Sequence, residues 1–195
     1  MLNQDEAVRG TPKILENYST HAYNRTIREV ERIIRVDHAG EYGAINIYKA
    51  QAMISRVFYP DIVYKLEEML SHEEEHYATF NSLLMRRSTR SCFALPLWAW
   101  GGFLLGLMTA CLGRNAIWTC TNAIETSVLQ HLKHQLNFLK VHDFEAYQAV
   151  LSIKADEEAH QELGASQSVK SWLSTPVFFI VTRSTQLVIW LSTKL

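Results

Sequence analysis

Proline and glycine are scarce in this chain, four and eight among 195 residues. With so few breakers, long apolar-periodic stretches run on unbroken, and nowhere does the apolar–polar alternation of a half-buried strand take hold. The expectation is an all-α protein of one domain. An excess of one charge is also missing. The 19 Lys and Arg against 20 Asp and Glu leave a net charge of −1, so no global field draws the chain to nucleic acid, and none is expected as a partner. The three cysteines (Cys92, Cys111, Cys120) form no C-x-x-C pair and lie in or near apolar sequence. They are expected as buried, reduced thiols, which suits a reducing compartment. The first 20 residues carry early acids and no apolar core, so neither a secretory signal nor a transit peptide is read there. Residues 1–20 are expected to form a tail.

What the chain does have is helix-period pattern. A first helix is expected over residues 24–58, with Ile27, Val30, Ile33, Ile34 and Ile45 at helical spacing. On the same stretch Arg25, Arg28, Arg32 and Arg35 read as a solvated face. Pro60 in "YPD" breaks that helix and can start the next, over residues 61–87. Further helices are expected over 115–140 and 143–166, the latter capped by Asp143. Pro176 then precedes a short apolar C-terminal helix, to about residue 193.

The stretch "SHEEEH" at residues 71–76 has two readings. As His72-Glu73-x-x-His76 it is a zinc-hydrolase motif, and as Glu73-x-x-His76 it is half of a carboxylate-bridged two-metal site. An internal repeat decides between them. Glu73-x-x-His76 recurs 84 residues later as Glu157-x-x-His160, and Glu41 and Glu125 each lie 32 residues ahead of the pair in their own half. Lys49/Lys133, Gln51/Gln135, Val57/Val141 and Glu74/Glu158 coincide at the same offset. The repeat counterpart of His72 is Asp156, so the recurring unit is E-x-x-H, not H-E-x-x-H.

The midpoint of each half falls on an expected turn, so each half folds as a helical hairpin, over about 24–87 and 115–168. Each lone Glu then lies level with the E-x-x-H pair on the opposing arm, and i, i+3 spacing puts both members of that pair on one helix face. Two such hairpins direct Glu41, Glu73, His76, Glu125, Glu157 and His160 into one core. That is the ligand set of ferritin-like four-helix bundles, in which two divalent metals balance four carboxylates. Oxygen-rich ligation with one imidazole per metal suits iron or manganese better than zinc. Such bundles store iron, scavenge peroxide, or activate O₂ to oxidise a substrate.

Between the halves, residues 91–113 carry no charge and are long enough to span a bilayer. A single crossing would separate the hairpins, so this segment is expected to lie in or dip into one leaflet, or else to be buried between the hairpins. In the first case Gly101, Gly102 and Gly106 weaken the helix, Arg86, Arg87, Arg90 and Arg114 meet headgroups, and Trp98, Trp100 and Trp118 sit at the interface.

"RIIRVDHAGEYGA" (32–44), the E-x-x-H at 73–76, "PLWAWGGFLLGLMTACLG" (96–113), Glu125 and "DEEAH" (156–160) together resemble the demethoxyubiquinone hydroxylase family of ubiquinone biosynthesis, over about residues 25–195. The resemblance implies a peripheral membrane monooxygenase with two iron ions per chain held by those six residues. It would use O₂ to hydroxylate a polyprenylated methoxy-benzoquinol at its last unsubstituted ring position. It also implies other members of a ubiquinone-biosynthesis complex as partners, at the cytoplasmic face of a bacterial inner membrane or the matrix face of the mitochondrial one. The alternative is an iron-storage or peroxide-scavenging protein. Asp37 and His38 are candidates for orienting ligand imidazoles, and His131 is read either as standing near the pocket mouth or as a satisfied surface histidine.

Overall fold

The computed structural model describes residues 13–194, with side chains from residue 22. Among the described residues there are six α-helices and no strand: α1 (Lys13–Phe58), α2 (Val63–Arg86), α3 (Leu95–Cys111), α4 (Arg114–His142), α5 (Phe144–Gln167) and α6 (Ser174–Ser192). A single 3-10 turn, Pro60–Ile62, joins α1 to α2, because proline can open a helix but cannot continue one.

The helix ends differ from expectation in two places. Helix α1 begins at Lys13, inside the stretch expected as a tail; after Gly10 and Pro12 the sequence has no breaker until Gly40. The C-terminal helix starts at Ser174 and runs 19 residues, so it is not short. Pro176 therefore stands in its first turn, where a missing N–H leaves no bond unmade. Asp143 caps α5 as expected, accepting a hydrogen bond from the Ala146 N–H at 2.9 Å.

Helices α1 and α2 form one hairpin and α4 and α5 the other. Gln135 bonds Asp37 while Tyr48 bonds Glu125, so α1 and α4 run antiparallel. The pairs His72–His160 and His76–Asp156 show the same for α2 and α5. Two apolar plugs close the bundle. Ile34, Phe80, Leu83, Leu132 and Ile153 fill one end, and Leu66, Met69, Ile117 and Trp118 fill the other. The hairpins are clamped by Arg87, whose guanidinium makes a two-pronged bond to Asp143 at 2.7 and 2.9 Å.

The uncharged segment between the hairpins folds as α3 and packs along α1. Gly102 and Gly106 are not weak points. A Cβ at Gly102 would strike the Gly43 carbonyl oxygen and one at Gly106 the Ile47 carbonyl oxygen, so these glycines let the two backbones meet. The turn into α4 uses Gly113 at φ 111°, a conformation that disfavours side chains. Among the described residues no helix is long and apolar enough to cross a membrane.

Other surface expectations change too. Trp118 and Trp98 are buried in the packing, and of the three tryptophans only Trp100 is exposed. Arg86, Arg87 and Arg114 pair with Glu145, Asp143 and Asp61, and Arg86 and Arg114 stay about half exposed. Cys92 and Cys120 are buried, but Cys111, at the end of α3, is exposed. Burial pushes the Cys120 thiol up to about 12, so it is an inert packing group.

Candidate metal centre

Midway between the two plugs the bundle interior turns polar. Glu41 comes from α1, Glu73 and His76 from α2, Glu125 from α4, and Glu157 and His160 from α5, all buried. Atoms of Glu41, Glu73, His76 and Glu157 lie within 4.8 Å of one another, and so do atoms of Glu73, Glu125, Glu157 and His160. The structure thus brings together all six residues singled out by the repeat. Glu73 and Glu157 belong to both groups, and the lone glutamates and the histidines to one each.

Both imidazoles turn Nδ1 inward. His76 Nδ1 stands 3.2 Å from Glu157 and 3.8 Å from Glu73, and His160 Nδ1 stands 3.3 Å from Glu73. These nitrogens, together with Glu73 Oε1 and both Glu157 oxygens, are buried without an aligned hydrogen bond. Four carboxylates out of water with donors left over is a costly arrangement, and divalent cations would remove the cost. The donor set fits oxygen-preferring metals with one imidazole each.

Without metal the cluster must share protons. Burial, then repulsion from Glu73 and Glu157, pushes the Glu41 carboxyl well above the usual range. Burial, then repulsion from Glu157 and Glu73, does the same to Glu125. Burial acts against charge at Glu73 and His76 as well. Their mutual contacts with neighbouring cluster members outweigh it, lowering Glu73 and raising His76.

The layer behind the cluster differs from expectation. Asp37 and His38 do not orient the imidazoles. His76 Nε2 instead meets Asp156 Oδ2 at 3.1 Å, and His160 Nε2 meets His72 Nδ1 at 3.1 Å. His72 and Asp156 are repeat counterparts, so each E-x-x-H is preceded by the residue that steadies the other hairpin's histidine. The expected pair is engaged elsewhere, Asp37 lying one turn short of the cluster on the face of Glu41 and His38 turned off that face. Asp37 accepts a bond from Gln135 at 2.6 Å, and His38 stacks on Tyr77 with ring centres 4.3 Å apart. Tyr48 was not anticipated; its hydroxyl donates to Glu125 at 2.7 Å. The only sequence signal for it is its place two turns beyond Glu41 on the same helix face.

A cavity of about 450 Å³ opens onto the cluster between α1 and α4, roofed by α3 and α6. Glu41, Glu73, Glu125 and Glu157 form its polar floor, and the walls are mostly apolar. His131, half-buried, lines it, in keeping with the first of its two readings, and burial lowers its pKa. Leu97, Met108 and Ile180 line the cavity yet are more than half exposed, so it reaches the surface through an apolar rim.

Among the described residues, helices alone enclose a buried carboxylate–imidazole cluster that could hold metal beneath an apolar cavity. Comparison with known proteins is specific. Residues 28–192 match the family described as ubiquinone biosynthesis protein COQ7, and the chain belongs to that family. It is 32% identical over 197 residues to the mitochondrial NADPH-dependent 3-demethoxyubiquinone 3-hydroxylase of Dictyostelium discoideum, covering 98% of this chain and 88% of the relative. To the 3-demethoxyubiquinol 3-hydroxylase of Rhodospirillum rubrum it is 34% identical over 167 residues, covering 85% and 78%. The mouse mitochondrial relative is 38% identical over 140 residues, and there the chain spans 63% of the relative's length.

Proposed function

We propose that this chain is a demethoxyubiquinol hydroxylase with a ferritin-like fold, formed by hairpins over about 24–87 and 115–168. Two iron ions would be held by Glu41, Glu73, His76, Glu125, Glu157 and His160. The observation that carries this reading is the placement of those six buried groups in one cluster, whose four glutamates form the floor of an apolar cavity open to the surface. A storage protein has no use for such a cavity, whereas a hydroxylase needs to hold a lipid ring against its metal centre.

Two bound iron ions would supply the activation of O₂, one oxygen atom going to the ring carbon and the other leaving as water with two electrons and two protons. The protein's own tasks are positional. Asp156 and His72 fix the outer nitrogens of His76 and His160, leaving each Nδ1 free for metal. The Tyr48 hydroxyl holds one Glu125 oxygen and so limits how that carboxylate turns. The apolar walls keep bulk water from the cluster and seat the quinol ring, whose polyprenyl tail leaves past the rim of α3 and α6. Leu97, Trp100, Leu104 and Met108 on α3, with Phe179, Ile180, Leu187 and Trp190 on α6, are exposed and would meet one leaflet of the bilayer. This supports peripheral attachment, at the cytoplasmic face of a bacterial inner membrane or the matrix face of the mitochondrial one.

The test is to reconstitute the protein with ferrous iron in mild detergent, add reduced demethoxyubiquinol without oxygen, then admit ¹⁸O₂. A product heavier by one ¹⁸O atom is expected. Bound iron with peroxide consumption and no labelled quinol would move the function to peroxide handling.

A further inference from the structure

Five acids line the cavity, and four of them belong to the cluster. The fifth is Asp37, one helical turn before Glu41 on the same face of α1, hence about 6 Å along the helix from it. It is 6% exposed. Its Oδ1 is taken by the Gln135 amide at 2.6 Å, which fixes the carboxyl plane, while its Oδ2 is buried without a partner. Asp37 borders an apolar cavity with one carboxyl oxygen left unbonded, which is costly, and a donor arriving with a ligand would satisfy it.

The matching place in the other half has no such group. Thr121 is the repeat counterpart of Asp37, and Gln51 that of Gln135. Gln51 donates to Thr109 of α3 at 3.0 Å, and neither Gln51 nor Thr121 borders the cavity. The acid therefore appears only on the side where the cavity opens.

We propose that Asp37, held by Gln135, is the ring-anchoring residue of the substrate site: its Oδ2 accepts a hydrogen bond from a phenolic hydroxyl of the quinol. The anchor lies one turn from Glu41, so it sets which ring carbon faces the cluster. Because it accepts a proton donor, it favours the reduced quinol over ring forms that lack a hydroxyl. The proposal rests on the quinol reading above and adds the residue that selects and orients the ring.

Anaerobic calorimetric titration of the iron-loaded protein with short-chain demethoxyubiquinol and with its di-O-methyl ether tests this. Wild type is expected to bind the quinol at least about tenfold tighter than the ether, as one hydrogen bond to an otherwise unsatisfied buried carboxyl oxygen implies. Asp37→Asn keeps the shape and the Gln135 bond but turns an amide N–H₂ toward the ring, and the preference should fall below about twofold. Gln135→Leu leaves the carboxyl in place but free to turn, and a smaller loss, about threefold, is expected. If wild type prefers the quinol and both variants keep that preference, the anchor is wrong and the quinol reading stands. If wild type shows no preference, the anchor is wrong as well. Should wild type also fail to label quinol from ¹⁸O₂, the quinol reading falls with it.

Discussion

In the first hairpin the residue ahead of the E-x-x-H pair is His72; in the second it is Asp156. Each reaches across to the other hairpin's histidine, so one imidazole is backed by a carboxylate and the other by a second imidazole. The same contrast recurs around the lone glutamates. Tyr48 of the first hairpin bonds Glu125, while its counterpart Leu132 has nothing to donate to Glu41. Asp37 borders an open cavity, and its counterpart Thr121 does not. Groups facing the bundle axis are matched in kind, a lone Glu and a Glu-x-x-His pair from each half. The layer behind them is free to differ, and there the two sides receive separate tasks.

The comparison breaks most completely at the shared carboxylates. Glu73→Ala is expected to disable both metal positions and to lower turnover roughly a thousandfold or more, since several kcal/mol of metal assistance vanish. Glu41→Ala and Glu125→Ala each touch one group, and metal analysis should find one ion lost in each. Next in size, Asp156→Ala and His72→Ala are expected to weaken metal affinity about 10- to 100-fold, each at a different position. Competition titration with a chelator resolves them as two unequal steps.

Smaller effects lie outside the cluster. Gly106→Leu forces α3 away from α1 and should cost about 1–3 kcal/mol, seen as a lower Tm. Asp143→Ala removes a cap and the Arg87 pair, for roughly 1 kcal/mol at neutral pH. The Arg87 guanidinium holds the Asp143 carboxyl below its ordinary value of 3.8. Its stabilisation is therefore full above pH 3.8 and is lost as pH falls through the folded-state value, so the variant and wild-type melting curves should converge in acid. The metal-free cluster has the opposite sign. Glu41 and Glu125 are raised from 4.5, so the apoprotein should lose stability as pH rises above that value, and added metal should reverse the trend.

The repeat made the inward-facing residues legible, since a fixed 32-residue offset on antiparallel arms brings them level whatever the helix ends do. The all-helical class followed from periodicity in the same way. What stayed hidden depends on helix rotation and approach distance. Asp37 and His38 sit beside Glu41 in sequence, yet a 100° step per residue sends one to Gln135 and the other to Tyr77. Gly102 and Gly106 read as breakers until the carbonyls of α1 are seen against them. Trp118 suggested an interface by type but is buried by position. His72 was legible as half of a zinc motif, and only the fold shows it behind His160.

The most direct measurement is the number of ferrous ions bound per chain in anaerobic titration of the metal-free protein and four variants. Two ions are expected for wild type, one for Glu41→Ala and for Glu125→Ala, and none held tightly by Glu73→Ala, while His72→Ala should still take two at reduced affinity. A single ion per chain that is lost in His72→Ala and kept in Glu125→Ala would contradict the two-metal centre and restore His72-Glu73-x-x-His76 as the binding unit.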